Sequence, residues 1–321
     1  MISGQGRRRR RRRRLPADDG RPRRSLRERR SLWAYAFLAP ALLFFVSVLL
    51  YPTLRAFYIS MFRWPLGAEG KTFVGLRNYT ALPQDALFLK SLKNTFVFAL
   101  GFIVPELIIS LTLALLLNRE TTRMRGLFRL AFFIPVVSSS VAISFVWKWL
   151  FEPSHGLINY LLGLFNIGPL PWLGHPRTAL LSVVIVTIWQ TMGFDIVTFL
   201  AGLQTIPEVF YDAAKVDGAS RLREIWSITL PLLNPTIILV LTMDIIWALQ
   251  VFTTVYLMTG GGTKPPGGPL NSTRTLVLHI YQVAFRSLRF GEGAALSVVL
   301  FCLILVVTIV QFRVSRRIFE Y

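Results

Sequence analysis

The sequence predicts an all-α polytopic membrane protein with six transmembrane helices and a helical hairpin between the fourth and the fifth. Three observations carry that reading. Of 321 residues, 53% are hydrophobic and 16% charged, a balance that water-soluble domains of this size rarely have. Apolar runs near the length of about 20 residues that crosses a bilayer recur along the chain. The formal net charge of +20 is concentrated at one end, because 14 of the 36 basic residues precede Leu32.

Residues 1–31 hold an unbroken run from Arg7 to Arg14, then Arg21, Arg23, Arg24, Arg27, Arg29 and Arg30. So few apolar side chains cannot build a core, and the segment reads as a disordered cytoplasmic tail. Its plainest use is as a topology anchor. The sharper alternative is a contact with anionic lipid or nucleic acid, worth roughly 1 kcal/mol per basic residue at a charged membrane surface. The remainder of the chain is only modestly basic, so no nucleic-acid partner is expected. A signal peptide fits poorly, since the next apolar run is long enough to span and no small-residue cleavage pattern follows it.

From Leu32 to Leu54 there is no charge, which sets the first span at about 32–54. Apolar residues resume at Asn94 and run to Asn118 with one charge, Glu106, giving a second span over 94–118. A loop with Arg119, Arg123, Arg125 and Arg129 leads into the third, 127–151, which contains Pro135 and Ser138 to Ser140. The fourth is expected at 179–203, the fifth at 235–258 and the sixth at 294–312, closing a membrane domain over 32–318. Six spans place both termini on one side. Lys and Arg number 24 on the side of the tail, the 119–129 loop, the hairpin and the C-terminus, against 12 on the other. The positive-inside rule then makes the termini and the hairpin of this multi-pass protein cytoplasmic.

Several functions are excluded by composition. The single cysteine, Cys302, lies in an apolar run, and His155, His175 and His279 are scattered, so neither a disulfide nor a thiolate or imidazole metal site is expected. No G-x-x-x-x-G-K-[ST] phosphate cradle occurs, and no nucleophile is paired with a base. The chain is therefore expected to hold no catalytic residue and no cofactor of its own.

The hairpin occupies 205–231. Thr205-Ile206-Pro207-Glu208 has the spacing of a capping box. Val209, Phe210, Ala213 and Ala214 fall on one side of the helix that follows, with Glu208, Asp212 and Lys215 on the other. Asp217-Gly218 supplies the residue that closes a helix in the left-handed conformation, Ser220 is the expected cap of a second helix, and Pro231 is expected to kink or stop it.

This hairpin resembles the EAA loop of permease subunits from binding-protein-dependent ABC importers of the sugar/glycerol-phosphate, maltose-type branch. The likeness rests on Asp212-Ala213-Ala214, Asp217-Gly218-Ala219 and Ile228-Thr229-Leu230-Pro231. Phe73 to Tyr79, Leu200 to Pro207, Leu257 to Gly262, Thr273 to Leu276 and Gly291 to Ala295 resemble the same branch. The resemblance implies a type I permease fold. It also implies a second permease subunit, two ATPase subunits that bind ATP and Mg, and an extracytoplasmic solute-binding protein. Asp212, Ala213, Ala214, Asp217, Gly218, Ala219, Ile228, Leu230 and Pro231 would couple the chain to the ATPase. Asp212 stands where the family usually has Glu, and the loop Thr263 to Pro269 is longer than is usual there. The cargo implied is a sugar, oligosaccharide or glycerophosphate-like polyol; a self-powered secondary solute transporter is the alternative.

Ionisable residues inside spans point to a solute path, because a charge in hydrocarbon costs about 2.5 to 3.5 kcal/mol on insertion scales. Glu106, Asp195 and Asp244 are the candidates. Asp244, Trp247 and Gln250 recur at i, i+3, i+6, offering a carboxylate, an indole and an amide of the kind that bind sugars, and Gln190 and Thr191 lie near Asp195. The plainer reading of each is interhelical hydrogen bonding.

Overall fold

The computed structural model describes residues 26–65, 70–118, 124–260 and 265–318. Most of the arginine-rich tail, residues 1–25, and residues Thr263 and Lys264 of the long loop lie outside the described residues. Five described helices are long and apolar enough to cross a membrane: Trp33–Ile59, Ala86–Leu117, Ala179–Leu203, Arg221–Leu249 and Phe290–Ser315. Two further helices, Arg125–Val137 and Ser140–Leu150, bent by 98°, are long and apolar enough only as a pair; counted as one broken span they make six.

The chain divides into two units, Met1–Thr53 and Leu54–Tyr321. In the first, the helix Leu26–Phe44 passes into a wider turn, Phe45–Leu50, where the Tyr51 N–H reaches back to the Val46 carbonyl. Ser47 and Thr53 donate to the carbonyls of Leu43 and Leu49, both at 2.7 Å, so neither hydroxyl needs a partner from outside the helix.

In the second unit, the helix that ends at Ile59 is followed by a two-residue hairpin pairing Phe62 with Phe73 and Arg63 with Thr72. Asn78 fastens it, with Nδ2 donating to the Ser60 carbonyl at 2.7 Å and the Phe62 carbonyl at 3.1 Å, and the Tyr79 hydroxyl donates to Ser60 Oγ. The Phe73–Tyr79 motif is thus a brace for the exit of the first span.

The second span starts at Ala86, eight residues ahead of the expected 94, because the Asp85 carboxylate caps it by accepting from the Leu87 N–H at 2.8 Å. The third breaks at the residues that were expected to lie inside it. Pro135 has no N–H to give the helix, Ser138 and Ser139 are extended (ψ 147 and 124), and the second arm starts afresh at Ser140. The fourth, Ala179–Leu203, lies against the second along its length and against the first arm of the third.

The fifth departs most. Helix runs from Arg221 through a wider turn at Ile225–Thr229 and on from Leu230 to Leu249, so the hairpin's second arm is the head of the span. Pro231 does not stop it. It occupies the second position after the wider turn, where a missing N–H is tolerated. The helix ends at Leu249 rather than 258, and a short helix, Thr253–Thr259, follows the break. Thr275 Oγ1 donates to the Val251 carbonyl at 3.2 Å. The last helix, Phe290–Ile318, is longer than the expected 294–312.

Two of the three buried clusters among the described residues join the second, fourth and fifth spans. One joins Phe98 and Phe102 of the second span, Val183 and Val186 of the fourth, and Ile245 and Leu249 of the fifth. The other joins Ala114, Ile196, Phe199, Leu233 and Val240 from the same three spans.

Outside the spans, His279 in the short helix Leu276–Tyr281 is 2% exposed. Arg274 Nε donates to its Nδ1 at 3.2 Å, and Asp85 Oδ2 lies 3.6 Å from Nε2, beyond hydrogen-bond reach. Burial, then the Arg274 charge, hold His279 down at about 4; Asp85 opposes them and Arg289 adds to them. The folded value lies below the ordinary value of about 6.5, so the unfolded chain binds more protons between the two. Stability from this residue is present above pH ~6.5 and is lost as pH falls towards the folded value. Melting temperature should fall across that window in the wild type, and the fall should be shallower in His279→Asn, which keeps an acceptor for Arg274. Superimposable melting profiles would remove His279 as the cause.

Candidate functional site

The hairpin is built from local signals. Its first helix, Glu208–Val216, is preceded by Pro207, and Thr205 Oγ1 donates backwards to the Gly202 carbonyl at 2.7 Å. The expected capping box is absent: the helix starts at Glu208 with Pro207 at the cap, so Thr205 lies two residues ahead of the cap position and no side chain caps the first turn. The C-terminus closes as expected. Gly218 takes φ +71, its N–H donates to the Lys215 carbonyl at 3.1 Å, and the Ala219 N–H reaches the Ala214 carbonyl at 2.9 Å. Ser220 Oγ then accepts from the Arg223 N–H at 3.4 Å and caps the second arm.

Packing divides the residues of the first helix differently from the sequence pattern. Ala214 is buried and Tyr211 half-buried, with the Tyr211 hydroxyl 3.1 Å from Thr229 Oγ1 on the second arm. Val209, Ala213 and Val216, at i, i+4 and i+7, form an exposed apolar stripe, with Phe210 exposed beside it. Leu222 and Trp226, each 70% exposed, extend this surface along the second arm. Trp226 and Leu222 were not among the expected coupling residues, although their i, i+4 spacing on a polar arm marks them. Ile228, Leu230 and Pro231 are half-buried, Ala219 is half-buried, and Asp217 is exposed. Asp212 is exposed and meets Lys215 Nζ at 3.0 Å, a surface pair worth at most about 1 kcal/mol.

The polar residues of the spans separate into two sets. Glu106, Asp195 and Asp244, from the second, fourth and fifth spans, are each 0% exposed, and one oxygen from each lies within 4.8 Å of the others. Thr191 Oγ1 is 2.7 Å from Glu106 Oε1. Gln190 turns aside and donates to Ser140 Oγ at 2.8 Å, bridging to the second arm of the broken span. Trp247 is 40% exposed and meets Phe194 edge-on, ring centroids 5.4 Å apart; Gln250 is exposed at the end of the helix. Asp244 and Trp247 thus belong to different environments despite their i, i+3 spacing.

Comparison with known proteins decides the family. The model of the binding-protein-dependent transport system inner membrane component matches residues 106–320. The chain belongs to this family. It is 36% identical over 291 residues to the trehalose/maltose transport system permease protein of Thermococcus litoralis, covering 91% of this chain and 96% of that one. It is 37% identical over 286 residues to the sulfoquinovosyl glycerol transport system permease protein of Agrobacterium fabrum, covering 89% and 91%. Its fold is that of a chain in the crystal structure of a bacterial alginate ABC transporter in complex with an alginate pentasaccharide-bound periplasmic protein. The TM-score is 0.79 at 24% identity, over 91% of this chain and 96% of that one. The chain is a type I sugar-importer permease with several helices apolar enough to cross a membrane, and its family is one of transport components.

Proposed function

We propose that this permease forms half of the translocation pathway of an ATP-driven importer for a carbohydrate or polyol. A second permease subunit completes the pathway, an extracytoplasmic binding protein delivers the solute, and two separate ATPase subunits hold ATP and Mg. The observation that carries the reading is the hairpin, a rigid turn presenting Val209, Ala213, Val216, Leu222 and Trp226 outward from a chain with no phosphate cradle. An apolar surface of that size on a polar hairpin fits a cleft on a cytoplasmic partner. Closure of an ATPase pair would move such helices as rigid bodies. The basic-residue count supports a cytoplasmic placement for the hairpin and both termini.

The carbohydrate class is supported by relatives whose names cover trehalose/maltose and sulfoquinovosyl glycerol transport. For the solute path the exposed Trp247 and Gln250 are the residues of choice, an indole face and an amide at the break of the fifth span. Asp195 and Asp244 belong to the path only in a state that opens the buried cluster, and Gln190 only if it leaves Ser140.

The test is uptake of labelled saccharides into proteoliposomes carrying the permease with its co-purified subunits. Uptake is expected with ATP on the hairpin side and the binding protein on the other, and none with ion gradients alone. Gradient-driven uptake without ATP would establish the secondary-transporter alternative instead.

A further inference from the structure

Glu106, Asp195 and Asp244 meet without a counter-charge among the described residues. All three side chains are 0% exposed. Glu106 Oε2, both oxygens of Asp195 and both oxygens of Asp244 are buried and have no hydrogen-bond partner. Among the described residues no ion pair reaches them, since the ion pairs found there involve Asp85, Glu152, Asp212 and Glu292. Gln190, the nearest amide in sequence to Asp195, is engaged with Ser140. Uncompensated carboxylates at such depth are among the costliest arrangements a fold can contain. Such a cluster is relieved either by protons held on the carboxyls or by a cation bound among them.

Hydrogen-bond accounting places one proton. Thr191 Oγ1 lies 2.7 Å from the Thr187 carbonyl and 2.7 Å from Glu106 Oε1. A hydroxyl has one hydrogen, and the carbonyl can only accept. Both contacts are satisfied together when Thr191 donates to Thr187 and the Glu106 carboxyl brings its own proton to Thr191. That leaves the carboxyls of Asp195 and Asp244, which would carry two negative charges if ionised, beside a neutral Glu106 whose free Oε2 is an acceptor.

We propose that Asp195, Asp244 and Glu106 Oε2 bind one hard divalent cation of the calcium type. The donor set is oxygen only, which suits calcium or magnesium and not the metals that prefer nitrogen or sulfur. Oxygens within 4.8 Å of one another are about as far apart as ligands around one ion at the calcium–oxygen distance of about 2.4 Å, so a small inward shift suffices for all three to touch it. Two aspartates balance a divalent charge, so the filled site is neutral inside the bundle. Its consequence is mechanical: the ion ties the second, fourth and fifth spans at one point, close to the hinge-like break of the fifth and separate from the exposed Trp247 and Gln250.

The experiment uses the full chain with its co-purified subunits in lipid nanodiscs, stripped with EDTA and then titrated with Ca2+ alone or Mg2+ alone near neutral pH. One saturable Ca2+ site per chain is expected, with a rise in melting temperature that grows with ion concentration. The double variant Asp195→Asn/Asp244→Asn should lose that site and that rise. Its melting temperature in EDTA should equal or exceed that of EDTA-treated wild type, because the repulsion is gone, and this shows that the variant is folded. Glu106→Gln, which keeps a neutral acceptor oxygen, should retain binding within about tenfold, about 1.4 kcal/mol. Absence of a saturable site at millimolar Ca2+ in the wild type would overturn the proposal. So would stability that follows pH and ignores the cation, or undiminished binding in the double Asn variant.

Discussion

Gly218→Val is expected to abolish ATP-driven uptake while the chain still inserts and accumulates in the membrane. The turn at Gly218 sits at φ +71, a conformation that costs a residue with a Cβ about 1–2 kcal/mol and a β-branched one more. A Cβ built there meets nothing within 4 Å, so the substitution strains the backbone of the turn and leaves the bundle untouched. The strain is relieved by opening the two bonds that close the first helix, Gly218 N–H to Lys215 and Ala219 N–H to Ala214. The arm carrying Val209, Ala213 and Val216 then loses its fixed angle to the arm carrying Leu222 and Trp226. A coupling element that must transmit a displacement fails when its two arms move independently. Gly218→Asn is the control, because asparagine tolerates the left-handed region, and it should keep most of the uptake. The readouts are saccharide uptake and ATP hydrolysis in proteoliposomes. In the Val variant, hydrolysis should persist without stimulation by the solute-loaded binding protein. Equal uptake by the Val and Asn variants would exclude the hairpin angle as the coupling device.

The parts of this molecule that were legible in its sequence are those fixed by local chemistry. Uncharged runs mark spans because a lipid-facing helix tolerates so few charges, and Asp217-Gly218 and Ser220 mark the hairpin because turn and cap geometry is decided within four residues. What was not legible depends on partners distant in the chain. Ala214 reads as part of the outward apolar face, yet it is buried, and Val216 takes its place on the stripe. The end of the fifth span at Leu249 carries neither Gly nor Pro, and the Val251 carbonyl just beyond it accepts from Thr275, a residue from a later segment. Pro135 and Ser138–Ser140 were visible as helix-weakening residues, but whether they merely bend the third span or break it by 98° is decided by what packs against its two arms. The three acidic residues were each visible singly as costly charges in apolar runs. Their convergence was not, since 89 and 49 positions separate Glu106 from Asp195 and Asp195 from Asp244, and no local period links them.

Gly193→Ala is expected to destabilise the permease strongly, and the reason lies in the broken third span. A Cβ added at Gly193 would stand 2.0 Å from the Phe132 carbonyl oxygen, 2.7 Å from its carbon and 3.0 Å from Val136 Cγ2. The first two are backbone atoms, so no rotamer change clears them. The fourth span would have to withdraw from the arm Arg125–Val137, and that arm cannot follow, because it is tied by the chain to the second arm through the 98° bend. Withdrawal would also separate Gln190 from Ser140, which are joined at 2.8 Å, and disturb the three-span junction around Phe199 and Ile196. Overpacking one methyl into a well-filled interior typically costs about 1–3 kcal/mol, and a backbone clash at both helices places this substitution at or above the upper end. Close helix approach through a small residue is the usual device for association in lipid, where no hydrophobic force between helices compensates for lost contact. The expected result is a sharp drop in monodisperse protein after extraction and a melting temperature lower by several degrees. Gly126→Ala serves as the control: a Cβ there meets nothing within 4 Å on the same arm, and its melting temperature should stay near that of the wild type. If both substitutions melt alike, the packing of the fourth span on the broken third does not hold the bundle together.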